Sequence, residues 1–213
     1  MYYAWFKRFI DFFGALILLI LFTPVIVLTA VAIKLTSPGP LFADTPKRVG
    51  KGGKLFYPYK FRSMVVNAHS LIQTDPKFKK LYEKYRNGNF KSPENDPRIT
   101  PVGRFIRKYS LDEVPQFVNV LKGEMSIVGP RPYYPDELEI QQRRYPGTPE
   151  QVKEALKVKP GITGFWQVSG RSQVNFDKRI EMDAYYARKR SVVLDILILL
   201  KTPLAMVSGK GAV

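Results

Sequence analysis

Apolar positions are concentrated at the start of the chain. From Phe12 to Ile33 there is no charged residue, a run of about 22 residues. That exceeds the roughly 18 that mark a membrane-helix candidate. It is too long for a signal-peptide core, and no small-residue cleavage site followed by a polar run comes after it. A buried helix of a soluble protein rarely runs this far without a polar face. Lys7 and Arg8 lie on one flank, and Lys34, Lys47 and Arg48 on the other. Positive residues resist translocation, so both flanks favour the cytoplasmic side. In the middle stand Thr23 and Pro24. Proline has no N–H and its ring clashes one turn back, so a kink is predicted there. The Thr23 hydroxyl can compensate the disturbed backbone inside lipid. The pattern predicts a hairpin over residues 1–36 that enters and leaves by one face, with a kinked spanning helix as the plainer alternative.

Residues 37–213 are polar enough to form a globular, membrane-associated domain. Leu41–Phe42 and Leu55–Phe61 flank the turn Gly50–Gly53 and read as a β-hairpin. Asp75–Arg86 reads as a charged surface helix and Asn87–Pro101 as a loop rich in Pro, Asn and Gly. Phe117–Leu121 suggests a short buried helix, and Ile180–Arg190 a longer one. Ser191–Val207 is apolar, carries Asp195 and Lys201, and is interrupted by Pro203; it reads as an interfacial or core helix. The fold class expected is α+β and mostly helical: a membrane hairpin, a small β-hairpin and amphipathic interfacial helices around a cytosolic catalytic core.

Composition narrows the chemistry. The chain has no cysteine, which excludes disulfides and thiolate metal sites. His69 is its one histidine, so a Ser-His-Asp triad could be built on that residue alone. Catalysis has to rest mainly on carboxylates, Lys, Arg or a hard cation. The net charge of +16 attracts polyanions, whether nucleic acid, anionic lipid or phosphorylated substrates.

The most informative stretch runs from Arg104 to Gln116. Asp112 and Glu113 follow Arg104, Arg107 and Lys108 and precede Pro115. A capping box, with Ser110 as N-cap and Glu113 three residues on, is the blander reading. It would leave Pro115 inside the helix, whereas proline prefers the first position. A helix starting near Pro115 places both acids before its positive end, which favours ionised carboxylates and bound anions. An ionised Asp can attack phosphorus. An adjacent Glu can hold Mg²⁺, which takes one or two carboxylates plus substrate phosphates. Arginines and lysines can neutralise pyrophosphate oxygens, and Lys60, Arg62, Arg104, Arg107, Arg131 and Arg171 are available unless they are plain surface charges. Gly129-Pro130-Arg131-Pro132 is a stiff turn that aims one guanidinium. A second stiff turn, Pro160–Gly164, leads to Trp166 and Gln167; the indole could stack on a base and the amide read its edge, or Trp166 could be core.

Taken together, these stretches resemble the monotopic phosphoglycosyl transferases, the bacterial sugar transferase family, over nearly the whole chain. They include Lys7-Arg8 with Asp11 and Gly14-Ala15, Ser37-Pro38-Gly39-Pro40, Arg48-Val49-Gly50, and Tyr59 to Met64. Further on come Ser110 to Gln116, Asn119 to Ser126, Gly129 to Pro132, Lys159 to Gly164, Gln167 to Arg171, and Asp183 to Ala187. The resemblance implies a re-entrant helix broken at Thr23-Pro24, where Ser-Pro is the familiar form. It implies Asp112 as nucleophile, Glu113 as ligand of Mg²⁺ or Mn²⁺, Arg107 as a phosphate-binding residue and Arg131 on the nucleotide side. Lys60, Arg62, Arg171 and Gln167 are further candidates for substrate or phosphate. The implied reaction moves a sugar 1-phosphate from a UDP-sugar to undecaprenyl phosphate, releasing UMP, through a covalent phosphosugar on the aspartate. That would be the first membrane step of exopolysaccharide or glycoconjugate assembly, on the cytoplasmic face of the bacterial inner membrane. Implied partners are membrane lipid and downstream glycosyltransferases, with no nucleic acid. The stretch from Trp166 to Arg171 is closer to hexose-transferring members. Ala43–Lys47 departs from the pattern, since the family usually carries another aromatic or a Gln there; longer members also have spanning helices ahead of this domain. Two other functions compete: a non-catalytic basic membrane adaptor for anionic lipid or nucleic acid, and a polyprenyl phosphate hydrolase.

Overall fold

A computed structural model describes residues 2–87, 95–169 and 174–207. The first helix, α1 (Tyr2–Leu21), is followed after Phe22 by α2 (Thr23–Thr36). The two are bent by 59°. Thr23 and Pro24 open α2, and the Thr23 hydroxyl donates to the Leu19 carbonyl at 2.9 Å, filling one acceptor at the break. No single helix among the described residues is long and apolar enough to cross a membrane; the bent pair together has the length and composition of a broken span or a re-entrant loop.

α1 is tied to the rest of the chain by its few polar residues. Arg8 donates to the carbonyls of Val120 and Leu121, at the end of α6 (Phe117–Lys122), where the negative end of the helix favours a cation. Asp11 is buried and accepts from the Ser126 hydroxyl at 2.9 Å and the Ile127 N–H at 3.1 Å.

The short strands β1 (Arg48–Val49) and β2 (Leu55–Phe56) pair antiparallel across the expected turn, Arg48 opposite Phe56. At the outer end of the expected hairpin Leu41–Phe42 meets the far end of the second arm, with Phe42 opposite Phe61. Between the two rungs stand Pro46 and Pro58, which have no N–H to give. The Thr45 hydroxyl donates to the Pro58 carbonyl at 2.8 Å instead. A second pair is parallel: β3 (Ser126–Val128) beside β4 (Gly161–Thr163), with Ser126 opposite Gly161. A Cβ on Gly161 would lie 2.1 Å from the Gly129 nitrogen, so the Gly129–Pro132 turn and the Pro160–Gly164 turn touch backbone to backbone.

The expected helix over Asp75–Arg86 is broken in two. α3 (Ala68–Thr74) stops at Asp75, whose carboxylate accepts from the Lys77 N–H at 2.9 Å; a 3-10 turn opens at Pro76, and α4 (Lys79–Asn87) follows. α5 (Pro101–Lys108) is capped by the Thr100 hydroxyl, which accepts from the Gly103 N–H at 2.9 Å. α7 (Pro135–Arg144), α8 (Pro149–Ala155), α9 (Phe165–Ser169), α10 (Phe176–Lys189) and α11 (Val192–Val207) complete the chain. The main core joins Ala15 of α1, Phe117 and Val120 of α6, Ile127 and Val128 of β3, Tyr186 of α10 and Ile198 of α11. The architecture is α+β and mostly helical. Large apolar side chains of α1, α2, α5 and α11 stay exposed, among them Trp5, Phe9, Leu28, Leu35, Phe105, Leu200 and Leu204. That is far more apolar surface than a soluble monomer leaves uncovered.

Candidate active site

α5 ends at Tyr109, and the chain turns sharply through Ser110, a non-glycine residue at φ 56°. Of the two helical starts expected for this stretch, the Ser110 capping box is absent, while an α-helix does begin just after Pro115, at Phe117. The Ser110 side chain makes no cap, and the chain runs into a 3-10 turn, Leu111–Gln116, that holds Asp112, Glu113 and Pro115 before α6 begins at Phe117. A left-handed Ser110 cannot act as an N-cap, which requires extended backbone. The two acids are therefore held in a tight 3-10 turn that leads directly into α6. The Phe61 N–H donates to the Asp112 carbonyl at 2.9 Å, which fixes the second arm of the hairpin beside the turn.

That register brings Lys60 to the acids. Its ammonium lies 2.5 Å from Glu113 Oε1 and 3.9 Å from Asp112 Oδ2. The Asp112 side chain is 10% exposed and that of Glu113 35%. Burial pushes the Asp112 carboxyl above its ordinary range, with the Glu113 charge acting the same way against Lys60 and Arg107. Burial also acts upward on Glu113, but the Lys60 charge and hydrogen bond, with Arg131 and Arg48, hold it below the usual range. The neighbours thus differ: Glu113 is the more readily ionised, and Asp112 is the less solvated.

The acids open onto a cavity of about 600 Å³. Lys60, Arg62, Arg107, Arg131 and Gln167 line the same space. Among the described residues, neither Arg107 nor the side chain of Arg131 is ion-paired. Arg131 Nε is buried without a hydrogen bond, its guanidinium 5.8 Å from the Trp166 ring. Arg62 is otherwise engaged: it donates to the carbonyls of Ser37 and Pro38 and ties the loop after α2 to the hairpin. Gln167 donates to the Ile162 carbonyl at 3.1 Å. Trp166 is 4% exposed and belongs to the core while bordering the cavity. Arg104 is exposed and stands outside the cavity lining. Arg171 lies outside the described residues. His69 is on the cavity wall, but its Nε2 faces the Gln73 amide at 3.2 Å, and burial lowers its pKa.

Two residues near the acids carry no site role in the sequence reading: Arg48, on the cavity wall, and Asp183, behind the Pro-Arg-Pro turn. Arg48 lies over the Tyr134 ring at 3.2 Å and donates to the Pro132 carbonyl at 3.2 Å. Burial would raise the Tyr134 phenol, but Arg48, Tyr85, Lys60 and Arg131 bring it below its ordinary value. Asp183 is buried; it accepts from the Tyr133 phenol at 2.7 Å and from the Arg131 N–H at 3.3 Å, and so fastens the Pro-Arg-Pro turn to α10. No local pattern links positions 48 and 134 or 131 and 183; Arg48, Arg131 and Asp183 sit in stretches that carry the family resemblance, and Tyr134 does not. Apolar side chains share the cavity wall: Leu18 and Phe22 near the helix break, Ile127, Ile162, Leu199 and Pro203. The arrangement sets a poorly solvated carboxylate among cations in a cavity to which the bent helix pair contributes.

Proteins named for sugar-phosphate transfer and exopolysaccharide production have similar sequences. The family model for bacterial sugar transferases matches residues 2–209. The undecaprenyl-phosphate galactose phosphotransferase of Salmonella typhimurium is 45% identical over 97% of this chain and 41% of its own length. The UDP-glucose:undecaprenyl-phosphate glucose-1-phosphate transferase of Escherichia coli K12 is 41% identical over 92% of this chain and 39% of its own. The exopolysaccharide production protein ExoY of Sinorhizobium fredii is 37% identical over 97% of this chain and 87% of its own. The chain thus spans about two fifths of the first two and most of the third. A match over nearly every residue, and over most of a relative of similar length, establishes that the chain belongs to the bacterial sugar transferase family.

Proposed function

We propose that the chain transfers a sugar 1-phosphate, a hexose phosphate by preference, from a UDP-sugar to undecaprenyl phosphate, as the first membrane step in building an exopolysaccharide or related glycan. The observation that carries the reading is Asp112: a poorly solvated carboxylate in a turn, facing a cavity with Lys60, Arg107 and Arg131 on its walls beside apolar residues of the helix break. An Asp112 oxygen attacks the β-phosphorus of the donor. The bond from that phosphorus to the bridging oxygen breaks, and UMP leaves with the oxygen and its electron pair. An oxygen of the polyprenyl phosphate then attacks the phosphosugar, forming the diphosphate-linked lipid and releasing the Asp112 carboxylate. Burial strengthens the nucleophile once its proton is off; Lys60 and Arg107 favour that ionised form. Arg107 and Arg131, free of carboxylate partners among the described residues, suit phosphoryl oxygens.

A divalent cation fits Glu113. Its carboxylate is open to the cavity and already attracts a cation in Lys60. Among the described residues no three His, Cys, Asp or Glu side chains gather into a metal site. That suits Mg²⁺ or Mn²⁺, which rely on substrate phosphates and water for their other ligands. Bound there, the ion would neutralise charge on the donor's pyrophosphate.

The exposed apolar faces of α1, α2, α5 and α11 support a membrane-seated protein, with the bent pair re-entrant and the catalytic residues on the cytoplasmic face. A panel of UDP-sugars with undecaprenyl phosphate, read by UMP release, tests the whole reading. Lipid-dependent turnover of one or more donors is expected; no UMP from any of them removes it.

A further inference from the structure

Two adjacent acids on a cavity wall need a positive charge between them. Among the described residues, Lys60 alone stands within ion-pairing distance of either, 2.5 Å from Glu113 and 3.9 Å from Asp112. Arg107 and Arg131 line the same cavity without pairing with the acids. The ammonium therefore sits on one of the two oxygens of Glu113, at the carboxylate a divalent ion would need. Two cations cannot share one carboxylate oxygen without strong repulsion. The Lys60 side chain is 23% exposed, and lysine carries its charge on a flexible stem whose head can swing. We propose that Lys60 is the resident counter-ion of the acid pair: it holds the cation seat on Glu113 while donor is absent and yields it to the divalent ion that arrives with the nucleoside diphosphate sugar.

This rests on the transfer reading for the identity of the donor. It assigns Lys60 two successive partners. Without donor, Glu113 is a single carboxylate offering a hydrated ion little, so the ammonium stays. The donor's phosphates add hard oxygen ligands, and the balance turns. The ammonium released from Glu113 remains in the cavity, next to Asp112, where the phosphoryl oxygens gather charge. Metal and donor should therefore bind far better together than apart. The exchange also keeps the acids neutralised in both states, which limits their repulsion and keeps Asp112 from being protonated by default.

The test is Mn²⁺ titration of the full chain in detergent, without donor, followed by electron paramagnetic resonance of the free ion. Lys60→Met should bind Mn²⁺ about tenfold or more tightly than the unaltered chain, because the competing charge is gone. Lys60→Arg should stay weak. Equal or weaker binding by Lys60→Met overturns the proposal. A second measurement needs no variant: acetylation of Lys60, read by mass spectrometry against the exposed Lys178. Saturating Mn²⁺ should raise Lys60 labelling several-fold, and unchanged labelling with Mn²⁺ bound overturns the exchange. Neither readout depends on turnover. Tighter Mn²⁺ binding by Lys60→Met without UMP release from any UDP-sugar by the unaltered chain would keep the counter-ion and remove the transfer reading; UMP release with unchanged Mn²⁺ binding would do the reverse.

Discussion

Lys7 and Asp195 are ion-paired at 3.1 Å, which fastens α1 to α11 across nearly the whole chain. Asp195 also accepts from the Tyr186 phenol at 2.6 Å and the Tyr3 phenol at 3.1 Å, while Lys7 reaches Asp11 at 3.3 Å. Asp195→Ala takes the acceptor from the Tyr3 phenol and one partner each from Lys7 and from Tyr186, which keeps the Val128 carbonyl. The expected cost is about 1–3 kcal/mol, since Lys7 keeps Asp11. Denaturant unfolding in detergent measures it. Lys7→Met added to Asp195→Ala should cost less than Lys7→Met alone, because the shared contact is already lost. Additive losses would show that the pair is not coupled.

Much of this frame is readable in the sequence, and what is not has physical causes. The run from Phe12 to Ile33 and its break at Pro24 are local features of composition, so they could be seen without a partner. The same holds for the helices at Phe117, Ile180 and Ser191, each marked by its own apolar content. Pairing is different. β3 and β4 have three residues each, and nothing within Ser126–Val128 specifies Gly161–Thr163 as its neighbour. The hairpin turn was legible but its register was not, because Pro46 and Pro58 remove donors from opposite arms. The turn holding Asp112 and Glu113 depends on a left-handed Ser110, a conformation that propensity assigns to Gly or Asn before Ser. The acids and the cations could be named from the sequence; that Lys60 meets Glu113 while Arg62 meets the Ser37–Pro38 carbonyls could not, since both choices depend on contacts between distant segments.

The bend between α1 and α2 makes topology testable. The chain has no cysteine, so single cysteines report without background. Cysteines replacing Trp5 and Ser37 should both be labelled from the cytoplasmic side, because basic residues flank each end. Pro24→Leu restores the missing N–H and removes the ring clash, so the pair should straighten and labelling at one site should move to the other side. Labels on opposite sides in the unaltered chain would establish a spanning helix instead.

Asp183 offers a pH test that is independent of turnover. Burial pushes its carboxyl up to about 7, against the Tyr133 and Arg131 hydrogen bonds and the charges of Arg179 and Arg131. A raised pKa means that the folded state holds the proton more tightly than the unfolded one. The stabilisation is therefore fully present below the unfolded value of about 4 and is lost as pH rises to about 7. Asp183→Asn removes this term while keeping a carbonyl oxygen for Tyr133 or Arg131. The unaltered chain should lose stability relative to the variant between pH 4 and pH 7, by up to about 4 kcal/mol. Denaturant midpoints measured at pH 5 and pH 8 check it; a difference that does not change with pH would show that Asp183 is ionised throughout.

Asp112 is where the covalent route stands or fails. Its carboxylate is the less solvated of the two acids, and Lys60 and Arg107 act to keep it ionised. If it carries the phosphosugar, donor alone should release UMP before any acceptor is added, and steady-state kinetics should be ping-pong. Intact mass spectrometry should find a sugar-phosphate adduct, and peptide mapping should place it on the segment containing Asp112. Asp112→Asn should abolish both adduct and turnover, by 10³-fold or more as an order of magnitude, because an amide oxygen is a far poorer nucleophile and a neutral one. Glu113→Gln should behave differently: the nucleophile survives, so a slow adduct should still form, with a raised demand for metal. Near-normal turnover by Asp112→Asn, or kinetics that require donor and acceptor bound together, would mean that the polyprenyl phosphate attacks the donor directly. Asp112 would then serve the cations of the cavity rather than the phosphorus, and the ionisation that Lys60 and Arg107 favour would matter for binding rather than for attack.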